Sequence, residues 1–206
     1  MEKREKFLSV EVDYPEAKEW ADIVSLTNDI DSTIQICDRL IHYLAATSED
    51  RIIIESLWTT ALIKYARCFT SGKRFGLSRA LFDGLNGDPH GAHEYFINIR
   101  SKHIAHSINP FEQVTTGLVL SDPETEKKAA GTVTFSQWHI SATGDGVQTL
   151  KNLCFVLRAK LSETGKDLYK KVLKIGQQLN IGELYSKAEL KTTTPGPYDA
   201  GKAREE

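Results

Sequence analysis

Cysteine is scarce in this 206-residue chain: Cys37, Cys68 and Cys154 are odd in number, far apart and without a Cys-x-x-Cys pair. That excludes a disulfide framework and a thiolate zinc site, and the three read as reduced, mostly buried thiols. A nucleophilic Cys68, activated by the cation of Arg67, is the rarer alternative. An excess of one charge sign is also missing. A formal charge of -2 does not coat nucleic acid by charge alone. No apolar run reaches the roughly 18 residues a membrane span needs. No apolar segment follows the charged Met1-Glu2-Lys3-Arg4-Glu5-Lys6 start either, so the expectation is a soluble, cytoplasmic protein without a signal peptide. The hydrophobic share of 40% and charged share of 26% are ordinary for one globular domain with flanking tails.

What is present is an uneven distribution of charge. Residues 1–31 carry nine acids against four bases, whereas residues 64–106 carry seven bases against three acids and four of the six histidines. A local anion-binding face in the second window competes with separate solvated residues on different elements.

Apolar spacing then orders the chain. Pro15 opens a helix in which Trp20, Ile23, Val24, Ile30, Ile34, Cys37, Leu40, Ile41 and Leu44 recur at helical intervals, either unbroken or interrupted near Asp29-Asp31. A second helix is expected from about Glu49 to Phe69, with Ile53, Ile54, Leu57, Trp58, Ala61, Leu62 and Tyr65 as its stripe. Gly72-Lys73 is no phosphate loop, because no strand precedes it and its partner glycine is absent. A helical turn near Leu77–Phe82 and the turn-rich 83–89 segment lead to a helix with Ala92, Tyr95, Phe96 and Ile99 on its apolar face. Asn109-Pro110 stops that helix. Residues 113–140 alternate as a β-hairpin that must pack on helices, because two strands alone are marginal. Trp138 and His139 within it contact a partner or, more ordinarily for a hairpin aromatic, pack in the core. Asp145 and Gln148 resemble a capping box for a last helix striped by Val147, Leu150, Cys154, Leu157, Leu161, Leu168 and Ile175. Residues 1–14 read as an extension, 15–186 as one mainly α domain, and 187–206 as a flexible tail.

The chemical segment is Asn98-Ile99-Arg100-Ser101-Lys102-His103-Ile104-Ala105-His106-Ser107. Arginine holds phosphate as a flat, permanently charged fork, and histidine is both acid and base near neutral pH. At 100° per residue, Arg100, His103 and His106 form a ridge winding about 120° round a helix. Three readings compete. In the first, Arg100 pairs with Glu94 or Glu55 and the histidines cap the helix end. In the second, His90 with His93 and His103 with His106 form His-x-x-His metal pairs, although no carboxylate is closely interleaved; the expectation is no metal and no cofactor.

The third is a family likeness. An arginine and a histidine separated by five residues at the end of a helix, with the ending Ile104-Ala105-His106-Ser107, resemble the motif of the HEPN superfamily, the higher eukaryotes and prokaryotes nucleotide-binding domains. The resemblance covers residues 15–180 and implies a helical bundle with the hairpin as an insertion. It also implies a metal-independent endoribonuclease in which Arg100 and His106 are catalytic and His103 assists. The residue after the arginine departs from the usual Asn or Asp of active members and is Ser101, which still hydrogen-bonds. Ser101, Lys102, Arg67 and Arg74 are the expected substrate-binding residues. RNA as partner, a homodimer, an antitoxin or other partner protein, and a toxin or phage-defence setting are likewise what the resemblance implies. The rival reading is a non-catalytic helical module that binds a nucleotide, RNA or protein.

Overall fold

The computed structural model describes residues 8–46, 50–70, 72, 74–104, 112–125, 127–138, 142–187 and 196–202. The protein is mainly helical. Helix α1 spans Pro15–Ala45, α2 Arg51–Arg67, α3 Pro89–Asn98, α4 Gly144–Gly176 and α5 Ile181–Ser186. Strands β1 (Glu112–Leu120) and β2 (Ala129–Trp138) form a two-stranded antiparallel sheet. Contacts divide the described residues into two compact units. One takes those within 1–27, 71–75 and 159–206, the other those within 28–70 and 76–158, so α1 and α4 each supply residues to both.

In the first unit Ile23 and Leu26 of α1 and Leu161 and Leu168 of α4 are buried. Trp20 meets Tyr169 edge to face at 5.5 Å, and the Tyr14 hydroxyl donates to the Val172 carbonyl at 2.8 Å. The second unit buries Ile30, Ile34, Cys37 and Leu40 of α1 with Trp58, Leu62 and Tyr65 of α2 and Val147, Leu150, Cys154 and Leu157 of α4. The α4 stripe read from the sequence is thus buried throughout, except that Ile175 is half-buried. The helix is capped two residues earlier than the Asp145–Gln148 reading expects: Thr143 Oγ1 accepts from the Gly146 N–H at 3.1 Å. On α2 the expected stripe fails at its start, where Ile53 is exposed. Asp50 caps that helix by accepting from the Ile53 N–H.

Helix α1 runs without a break through Asp29, although a carboxylate on an apolar face suggests one. Asp29 is buried because Arg67 of α2 closes on it through both Nε, at 2.6 Å, and Nη2. Lys64 Nζ stands 3.8 Å away. The arginine is half-exposed and can hydrate when abandoned. Asp29→Ala is therefore expected to cost about 1–3 kcal/mol, below the range for a fully buried pair. Urea unfolding midpoints of the two proteins measure this, and an unchanged midpoint contradicts it.

The hairpin keeps a simple register from Glu112 opposite Trp138 to Val119 opposite Gly131, with an irregularity at Val119/Leu120. Of the strand residues whose burial is described, only Gly117 and Val133 are half-buried and the rest are exposed, contrary to the expected helix packing. Phe135 lies across Gly117: a Cβ there would sit 3.3 Å from its ring, so glycine makes room for the aromatic.

Candidate functional site

Helix α3 is set by its first turn. Asp88 Oδ1 accepts from the Gly91 N–H at 2.8 Å, and Pro89 occupies a position that needs no donor. The inward residues differ from the expected face in one exchange: His93 is buried with Phe96 and Ile99, while Tyr95 is 52% exposed. His93 Nδ1 and the Tyr65 hydroxyl share a hydrogen bond of 2.8 Å, which makes a buried imidazole tolerable. The rings of Phe69, Phe82 and Phe96 pack around this pair. Burial pushes the Tyr65 phenol up, so it stays protonated. Burial, then His90 and Arg79, lowers His93 from the ordinary 6.5, against a weaker opposing pull from Glu94.

This shift has a sign for stability. Below pH 6.5 the unfolded chain binds a proton that folded His93 resists. The contribution of neutral His93 is therefore complete above that pH and declines as the pH falls below it. Urea midpoints measured near pH 7.5 and 5.5 are expected to drop toward acid, and His93→Gln to narrow that drop. An equal drop in both proteins contradicts the assignment.

At Ile99 the α-helix gives way to a π-helical turn, Ile99–Ile104, which packs on α2 and α3. Such wide turns are rare and concentrate at functional sites. The turn takes in Arg100, Ser101, Lys102 and His103, and its wider winding rotates less than 100° per residue, so the regular ridge expected for Arg100 and His103 does not form. Instead Ile99 and His103 face inward as buried residues, Arg100 and Ser101 are half-buried, and Lys102 is exposed. Among the described residues none forms a hydrogen bond or ion pair with the Arg100 guanidinium, Glu94 and Glu55 included. His106 lies outside the described residues.

Arg67 is engaged by Asp29, a contact that raises its pKa, and so is held by the helix pair α1–α2. Arg74 belongs to the other unit, where its Nη1 donates to Ser25 Oγ at 2.8 Å. Comparisons with family models, curated proteins and solved structures give no match.

The histidine pairs do not act as pairs where both members are described: His90 Nε2 lies 3.0 Å from Asp83, while His93 turns to Tyr65. Among the described residues no three His, Cys, Asp or Glu side chains are arranged to hold a metal ion. All three cysteines are buried; Cys37 is pushed up to about 12 by burial and Cys154 well above its ordinary range. Cys68 donates to the Lys64 carbonyl at 3.3 Å, so its thiol is tied back into its own helix. No helix among the described residues is long and apolar enough to cross a membrane. A pocket of about 330 Å³, missed in the sequence, lies at the opposite end of α3, lined by Leu85, Asp88, Ala92, Asn152, Leu153 and Val156 among others. It contains none of the candidate catalytic or binding residues read from the sequence.

Proposed function

We propose that this chain is a HEPN-like, metal-independent endoribonuclease acting in the cytoplasm, with its site at Arg100–His106. The observation that carries the reading is the state of Arg100: a half-buried guanidinium on a π-helical turn, with no internal acid to neutralise it among the described residues. An arginine left without an internal partner in a partly enclosed place is suited to an external anion, and its planar fork matches a phosphodiester.

In the proposed reaction the ribose 2′-oxygen attacks the adjacent phosphorus and the bond to the 5′-oxygen breaks. His106 takes the proton from the 2′-hydroxyl or delivers one to the leaving 5′-oxygen. Arg100 offsets the charge that builds on the phosphoryl oxygens, the role with the largest usual share of catalysis. The products are a 2′,3′-cyclic phosphate and a 5′-hydroxyl. Ser101 and the exposed Lys102 hold flanking phosphates, whereas Arg67 is already committed to Asp29. Buried His103 positions the turn from below. Two copies facing one another supply the acid and base that a single motif lacks. The toxin or phage-defence setting, with an antitoxin partner, rests on the resemblance alone.

Analysis of product ends tests the chemistry. A single-stranded RNA is expected to yield cyclic-phosphate and 5′-hydroxyl ends, and one 2′-deoxy substitution at a mapped cut is expected to block that cut only. Cutting that continues at the substituted position contradicts the proposal.

A further inference from the structure

The hairpin strands carry several exposed apolar side chains, most of them on β1, and almost no charge. Val114, Leu118 and Leu120 of β1 are 71%, 64% and 72% exposed. By alternation Val114, Thr116 and Leu118 share one face, and opposite them on β2 stand Ser136, Thr134 and Thr132. The apolar stripe therefore follows β1. The other face presents Val119 of β1 and Phe135 of β2, 45% and 59% exposed, with Phe135 lying over Gly117.

Both strands are edges, since the sheet has only two strands among the described residues. Natural edge strands are usually blocked by lysine, proline, inward charges or bulges. Glu112 is the sole charged residue in either strand, neither contains proline, and the one irregularity lies at the far end of β1. A two-stranded ribbon is marginal alone, and four strands with a shared apolar face are not.

We propose that the free edge of β1 pairs antiparallel with the same edge of a second copy of this chain, joining two hairpins into one four-stranded sheet. Identical edges meet antiparallel across a two-fold axis, the commonest symmetry of soluble assemblies. Overlap of the whole strand Glu112–Leu120 with itself fixes the axis at its midpoint, Thr116. Val114 of each copy then stands opposite Leu118 of the other, twice, and Thr116 opposite Thr116. Pairing through β2 would leave the two Val114–Leu118 stripes apart and set Ser136, Thr134 and Thr132 opposite small polar residues on that face. The occupant is a second copy because the described chain offers no other strand and because β1 is complementary to itself in this register. The inference does not rest on the ribonuclease reading.

Residues directly opposite in antiparallel strands stand about 4.5–5.5 Å apart, within disulfide reach. The native cysteines are buried and do not compete. Thr116→Cys in the full chain is therefore expected to give a covalent dimer on mild oxidation. Thr132→Cys, on the outer strand and three strand spacings of roughly 4.8 Å from its copy, is expected to give none. Light scattering of the unmodified chain is expected to report a dimer, with Leu118→Lys raising its dissociation constant at least about tenfold at unchanged helix content by circular dichroism. If Leu118→Lys perturbs the hairpin itself, the cross-link, which keeps the stripe intact, decides. A monomer at every concentration, or a dimer that Thr116→Cys does not cross-link, overturns the proposal. RNA cleavage enters none of these readings, so its absence leaves them intact.

Discussion

Arg100→Ala is expected to lower RNA cleavage by at least about 100-fold while moving stability by no more than about 0.5 kcal/mol. Both halves follow from the same circumstance. A guanidinium that holds no hydrogen bond or ion pair among the described residues contributes little to folding, and its removal strands no buried carboxylate. In the proposed reaction the same group meets the phosphoryl oxygens as charge builds on them, where a single donor is worth about 2.7–4 kcal/mol of barrier. Arg100→Lys keeps the charge but loses the planar fork, and is expected to recover only part of the rate. Paired measurements of cleavage rate and urea midpoint check this. A variant that melts well below the wild type would show that Arg100 serves the fold, and one that cuts at full rate would remove it from the site.

The largest expected loss of stability is for Phe96→Ala, at about 3–5 kcal/mol. Phe96 is fully enclosed, with Trp58 edge to face at 5.9 Å and Tyr65 at 6.1 Å. Truncation removes a whole ring's burial and leaves a cavity between α2 and α3 that stiff aromatic neighbours cannot fill. The effect should reach the site, because the π-helical turn begins three residues further on and rests on the same two helices. Phe96→Leu keeps most of the volume and is expected to lose much less. Equilibrium unfolding of both variants tests the claim, and a cost below about 1 kcal/mol for the alanine variant contradicts the tight cluster.

How far the sequence could be read depended on whether the deciding partner was near in the chain. The α4 stripe was legible because burial repeats along one helix, and the hairpin because apolar alternation and turn residues are local. The continuity of α1 was not, because the cation that makes Asp29 tolerable inside is Arg67, 38 positions downstream. The exchange of His93 for Tyr95 on α3 has the same cause: ordinary rules place tyrosine inward and histidine outward until the Tyr65 hydroxyl is known to meet the imidazole. At the candidate site, the residue types of 98–107 announced themselves, whereas the π-helical turn beneath them leaves no period in the sequence. That turn sends His103 inward and leaves Arg100 half-buried beside it. The pocket beyond α3 was likewise invisible, being assembled from the 85–92 and 149–156 segments.

The proposed activity is metal-independent cutting of RNA by the Arg100–His106 motif. The most direct test is cleavage of a labelled single-stranded RNA in excess chelator, run with wild type, Arg100→Ala and His106→Ala after each has been shown to fold. Cutting that persists in chelator, spares DNA of the same sequence and vanishes in both variants is the predicted result. Intact RNA with the wild type, or equal cutting by all three proteins, would contradict it.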